Sequence, residues 1–236
     1  WWLPVALLFF LLSVLLAELF PLLIIPLFYT TTPLPEGELR ERLTAFLAAA
    51  QAGVNGLFQI DFSKETKKAN AMFTGWGKSK RVLLADTLVQ TFTSAEIEAV
   101  LAHELGHRQH RHIIKLTVTG FDGSMLQFWL IGLMLVRTPG LTSPADLAGF
   151  PVLWLGFALM GMISQPLMAG LSRHFERQAD AYACATPARA QAMADALVRL
   201  GTTNLSDPEP PAWVEWYFYS HPALARRIAA ARRRAV

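Results

Sequence analysis

From Trp1 to Tyr29 the hydrophobic pattern has no period. The only ionisable groups in it are Glu18 and the Tyr29 phenol. The run exceeds the roughly 20 residues a helix needs to cross a bilayer, so a transmembrane helix is expected over residues 1–29. It is too long for a secretory signal, with no basic region before it and no small-residue cleavage site after it. Two further apolar runs follow. Ile113 to Val136 is interrupted by Lys115, Gly120, Asp122 and Gly123, so its first half can instead prolong the helix before it; Leu147 to Gly170 carries no charge. Pro151 and Pro166 are expected near the ends of the second run, where a helix tolerates proline best. Together the runs predict a membrane hairpin over residues 113–170, turning at Thr138 to Asp146.

Between these runs the pattern becomes periodic. Leu39, Leu43, Phe46 and Leu47 mark a helix from Glu38 to Ala52 that ends at Gly53. Leu57 to Phe62 alternates as a strand does, and Asn70 to Gly75 with Arg81 to Ala85 reads as two strands around a Gly75-Trp76-Gly77-Lys78 turn. Thr30 to Pro35 reads as a connector. Thr93-Ser94-Ala95-Glu96 is a capping box opening a helix whose buried face is Ile97, Val100, Leu101 and Leu105. Pro187 to Leu200 is an amphipathic helix, and Trp213 to Tyr219 is an aromatic stretch suited to an interface or a substrate wall. The expected organisation is thus a membrane helix (1–29), a first extramembrane part (30–112), the hairpin (113–170) and a second extramembrane part (171–236).

Composition adds compartment and orientation. Hydrophobic residues make up 53% of the 236, high for a soluble globule, and they cluster in the three runs. Arg137 is the only basic residue of the hairpin turn, whereas residues 40–111 and 173–234 hold almost all the others, which places both extramembrane parts in the cytoplasm. The net charge of +3 is met by anionic lipid headgroups and calls for no nucleic acid. Cys184, the single cysteine, cannot form an intramolecular disulfide, which agrees with a reducing side. The chain opens on Trp rather than Met, which suggests a portion of a longer protein with further membrane helices upstream.

The capped helix carries the chemistry. In Ala102 to His112, AHELGHRQHRH, the imidazoles of His103 and His107 lie four residues apart on one helical face and can converge on a zinc ion. Glu104, between them, can reach a water on that metal as general base. His110 shares the face, but seven helical residues carry it about 10 Å from His103, too far to share one metal. The best third ligand is Glu176 in Ser172 to Asp180, with His174 as competitor. Asp180, four residues on, can orient a ligand imidazole through its second nitrogen. Two crossings separate this segment from the motif, and an even number returns it to the same face. Asn70 can bind substrate or a developing oxyanion, or simply satisfy a turn; an edge strand beside it can pair with an extended peptide. His221 and an arginine at the following helix start can stabilise an oxyanion, or merely cap the helix. The other histidines of the turn after the motif are left as bystanders.

His103-Glu-Leu-Gly-His107, Ser172-Arg-His-Phe-Glu176-Arg-Gln-Ala-Asp180, Asn70-Ala-Met-Phe-Thr-Gly75 and Ser220-His221-Pro222 together resemble the integral-membrane CaaX prenyl protease 1 (Ste24-type) zinc metallopeptidases of family M48, over essentially the whole chain. The resemblance implies one zinc ion per chain on His103, His107 and Glu176, with Glu104 as base. It also implies that Asn70, His221 and Arg226 line the substrate cleft. Family members have seven membrane helices around a water-filled chamber, so the chain corresponds to the C-terminal catalytic portion. The expected class is a mainly α integral-membrane protein: about three transmembrane helices plus a cytoplasmic, zincin-like helical catalytic domain with a small β-sheet. The expected activity is hydrolysis of peptide bonds in a peptide or protein substrate, prenylated on the CaaX reading, at the membrane lipid. The alternative is a quality-control zinc endopeptidase acting on non-prenylated membrane proteins, and a non-catalytic zinc-binding scaffold ranks behind both.

Overall fold

The computed structural model describes the chain apart from residues 21–22, 24, 76–79 and 144–145 and the side chain of Glu18. It opens with α1 (Trp2–Leu19) and the short α2 (Ile25–Phe28). A mixed region follows, with β1 (Thr31–Pro33), α3 (Glu38–Ala49), β2 (Leu57–Ile60), β3 (Ala71–Thr74), β4 (Arg81–Ala85) and α4 (Asp86–Thr91). The remainder is helical: α5 (Ser94–Gln109), α6 (His112–Arg137), α7 (Phe150–Ala183), α8 (Pro187–Thr203), α9 (Ala212–Phe218) and α10 (Leu224–Ala235). The protein is thus mainly helical with one small sheet. The expected turn between β3 and β4 lies, except for Gly75, outside the described residues.

The sheet is mixed, in the order β1-β2-β4-β3, with β2 parallel to β4 and both edges antiparallel. Sequence pattern missed β1: three residues including Pro33 read as a connector, yet Thr31 pairs with Ile60, and a proline is tolerated on an edge. The other edge, β3, packs nearest α5.

Helix α5 is the centre of the fold. The expected capping box is present at its start: the Thr93 hydroxyl accepts from the Glu96 amide, and the Glu96 carboxylate accepts from the Thr93 amide. One face of α5 (Ile97, Leu101, Leu105) joins a core with Leu43 and Leu47 of α3 and Ile60 and Leu84 of the sheet. Its other face (Ala99, Ala102) meets Ala183, Met193, Ala194, Leu197 and Ala231 of α7, α8 and α10. Such a helix is fixed in rotation by packing on both sides, so its polar residues have one direction left to point.

Among the described residues, two helices are long and apolar enough to cross a membrane: α6, and Leu147–Ala183, which contains α7. They pack through Gly156 under Ile131 and through a Phe128–Phe157 edge contact at 5.2 Å, while Trp129, Val136, Trp154, Ile163 and Leu167 stay exposed. α1 lies along α6, with Phe9 on Phe128 and Phe10 on Phe121. Its 18 residues span about 27 Å, just under the ~30 Å of a hydrocarbon core.

One expectation is corrected here: Pro166 is interior to α7, not near a helix end, and the helix continues unbroken past residue 170 to Ala183. Proline lacks an N–H, so the Met162 carbonyl one turn earlier loses its helical donor. The Tyr217 hydroxyl of α9 supplies the replacement at 3.0 Å. Farther along α7, the buried Arg173 guanidinium donates to the carbonyls of Glu215, Trp216 and Tyr219, a cation on the carbonyl end of α9. Helix α9 is thereby stapled to α7 at two levels.

Candidate metal centre

Packing brings α5 and α7 into unusually close contact at Gly106. A Cβ there would lie 3.0 Å from the Ala179 Cα and 3.1 Å from the Tyr182 Cβ. The absent side chain lets the two helices approach until His103 and His107 face Glu176. His103 Nε2 and His107 Nε2 are 3.1 Å apart, and Glu176 reaches them at 3.4 Å (Oε2) and 3.3 Å (Oε1). A tetrahedral zinc at about 2.0–2.1 Å from its ligands has ligand-to-ligand edges of about 3.3–3.4 Å. Glu176 Oε2 is buried with no hydrogen bond among the described residues, the Arg227 guanidinium standing 3.5 Å away. Two neutral nitrogens and a carboxylate are the donor set zinc accepts, so the residues fit a metal. His174 lies outside this group, with Nε2 3.0 Å from the Gln178 amide.

Behind these three side chains stands a second layer of polar groups. Asp180 Oδ1 is 2.9 Å from His103 Nδ1, and the Asp180 carboxylate takes a two-pronged contact from Arg227, both distances 2.8 Å. Burial works against a charged His103 imidazole, but the Asp180 and Glu176 carboxylates outweigh it and raise its pKa to about 9. A bound cation must displace that proton. Burial also raises the Glu104 carboxyl above its ordinary value, with the His103 and His107 charges holding it back. A carboxyl so placed is a better proton acceptor than an exposed one.

Glu104 and His103 open on a cavity of about 400 Å³ that is also lined by Asn70, Tyr219, His221 and Arg227. His221 Nε2 is 3.3 Å from Glu176 Oε1, and its Nδ1 is 2.9 Å from the Ser220 hydroxyl. Desolvation lowers the His221 pKa, with Glu176 opposing it. The His221 loop is held by Glu215 of α9, whose carboxylate accepts from the Ala223 amide at 3.1 Å. Asn70 stands where expected, but its Oδ1 accepts from the Ala71 amide at 2.9 Å. Arg226 does not line this cavity. It is exposed, pairs with Glu215, and borders a separate cavity of about 550 Å³. Its neighbour Arg227 is the arginine at the centre. The signal for it was present: Leu224, Ile228 and Ala231 form the buried stripe of α10, and Arg227 falls on that stripe while Arg226 falls off it.

The model of peptidase family M48 matches residues 33–235. The chain belongs to this family. Among M48-like relatives, it is 34% identical to CAAX prenyl protease 1 of Saccharomyces cerevisiae over 94% of this chain and 53% of that protein. It is 30% identical to the uncharacterized metalloprotease YhfN of Bacillus subtilis over 97% of this chain and 55% of that one. The crystal structure of S. mikatae Ste24p superposes with a TM-score of 0.86 at 31% identity, covering 98% of this chain and 58% of that chain. The chain therefore spans about half the length of the curated relatives it matches.

Proposed function

We propose that the protein is a membrane-embedded zinc metalloendopeptidase of the CaaX prenyl protease type, with its catalytic part facing the cytoplasm. The observation that carries this reading is the meeting of His103, His107 and Glu176 at ligand distances, beside Glu104, on a cavity next to an open sheet edge. One zinc per chain would be held by the two Nε2 atoms and the Glu176 carboxylate. When bound, it supplies Lewis-acid polarisation of the scissile carbonyl and a water of lowered pKa. Glu104 accepts the proton of the attacking water and passes it to the leaving amine. His221 and Arg227 line the same cavity as Glu104 and would stabilise the charge that develops on the carbonyl oxygen there. An extended peptide adds to β3, and Asn70 exchanges its contact with Ala71 for one with the substrate main chain. Asp180, fixed by Arg227, holds the His103 ring in register.

The reading is tested with zinc-loaded protein in lipid, offered a farnesylated CaaX peptide and an unmodified unfolded protein. Cleavage of the lipidated peptide before its last three residues is expected. Glu104→Gln should lower the rate by roughly 10²–10⁴ while zinc stays stoichiometric. Cutting only the unmodified protein would reassign the substrate to misfolded chains. Stoichiometric zinc with no cleavage of either would leave a structural metal site.

A further inference from the structure

A ligand imidazole has two nitrogens, and the atom behind the distal one decides which is free for the metal. For His103 that atom is Asp180 Oδ1. For His107 it is another histidine: His107 Nδ1 lies 3.0 Å from His112 Nδ1. His112 is 1% exposed and lies face to face with Phe175, ring centroids 4.3 Å apart and planes 10° apart. Its Nε2 is 2.8 Å from Gln178 Oε1, and the Gln178 amide nitrogen is 3.0 Å from His174 Nε2. The chain reaches this arrangement because α5 stops at Gln109 and Arg111 takes a left-handed conformation (φ 54°), turning His112 back under the ring it follows.

With His107 Nε2 left free for a metal, the four side chains admit one consistent placement of hydrogens. A metal on His107 Nε2 needs the lone pair there, so the His107 proton sits on Nδ1. Only one proton fits between the facing Nδ1 atoms, so His112 Nδ1 accepts. A neutral His112 then carries its proton on Nε2, where Gln178 Oε1 receives it, and the Gln178 amide donates onward to His174. Running the chain the other way would place a proton on His107 Nε2 and block the site. We propose that His112, backed by Gln178, is a positioning residue that fixes the tautomer and ring orientation of His107 as a metal ligand. The inference rests on the zinc reading above. It makes the two ligand histidines unequal: an anion stands behind His103, and a neutral ring behind His107. A neutral acceptor returns less charge to the metal, which keeps the centre electrophilic.

The test measures zinc affinity by chelator competition, and the visible spectrum of the cobalt-substituted protein, for wild type and five variants. His112→Phe keeps the stack on Phe175 and removes the acceptor; it should weaken zinc binding roughly 10–100-fold and shift the cobalt bands. His112→Asn keeps an acceptor near the Nδ1 position and should bind close to wild type with an unshifted spectrum. Should His112→Phe not fold, Gln178→Leu carries the test: it should weaken binding, while Gln178→Glu, which still accepts, restores it. Wild-type affinity and spectrum in His112→Phe or Gln178→Leu would overturn the proposal, as would equal loss in the acceptor-keeping and acceptor-free variants. Failure of the underlying zinc reading shows differently: wild-type protein would hold no stoichiometric zinc, or Glu176→Gln would leave its affinity unchanged.

Discussion

At the residue scale, two adjacent arginines do opposite things. Arg227 is 11% exposed at its side chain and meets both Asp180 oxygens, whereas Arg226 is 64% exposed on the solvent side of the same helix. Removing Arg227 leaves the buried Asp180 carboxylate without its cation, at about 3–5 kcal/mol; removing Arg226 also leaves a buried carboxylate, Glu215, but one that keeps the Ala223 amide and loses a partner that is itself exposed to water. Arg227→Ala should therefore destabilise the protein more than Arg226→Ala, read as the shift in denaturant midpoint at unchanged slope. Equal costs would mean that the phase of α10 is misassigned. The resemblance that pointed to Arg226 carried chemistry but not helical phase; the Leu224–Ile228–Ala231 stripe carries phase, and the two agree only if shifted by one residue.

At the element scale, legibility follows whether a signal is local. The Thr93 cap, the strand patterns and the His103–Glu104–His107 spacing each lie within one turn or one strand, and each is present in the structure. What the sequence did not reveal depends on a second element: β1 needs β2 beside it, Gly106 needs Ala179 behind it, and His112 becomes a partner of His107 only because Arg111 reverses the chain. Pro166 is the clearest case. Its propensity argued for a helix end, yet the Tyr217 hydroxyl from α9 takes over the carbonyl that the proline strands. Tyr217→Phe should cost about 0.5–1.5 kcal/mol in the native background. In a Pro166→Ala background, where the backbone N–H returns to serve Met162, the same change should cost close to nothing. A double-mutant cycle in unfolding measurements reads this coupling, and additive costs would show that the hydroxyl is not compensating for the proline.

At the scale of the whole molecule, the candidate metal centre is assembled across a helical hairpin, one arm leaving just after the helix of His103 and His107 and the other returning with Glu176. α5 delivers His103 and His107, α6 leaves from His112, and α7 returns as one continuous helix to present Glu176 and Asp180. The first half of α7 is locked to α6 through Gly156 and Phe157, and its second half to α5 through Ala179, so the phase of the helix connects the apolar hairpin to the ligands. One alanine inserted between Gly170 and Leu171 turns everything after it by about 100°, moving Glu176 off the ligand face unless the helix absorbs the residue as a bulge. The same insertion after Gly140, in the connection between α6 and α7, changes no helical phase. Zinc content of the purified proteins should therefore be stoichiometric for the connection insertion and lost for the α7 insertion, with helicity by circular dichroism retained in both. Zinc retained in the α7 variant would mean that packing against α5 and α10 alone orients Glu176, and that the long helix serves only to return the chain.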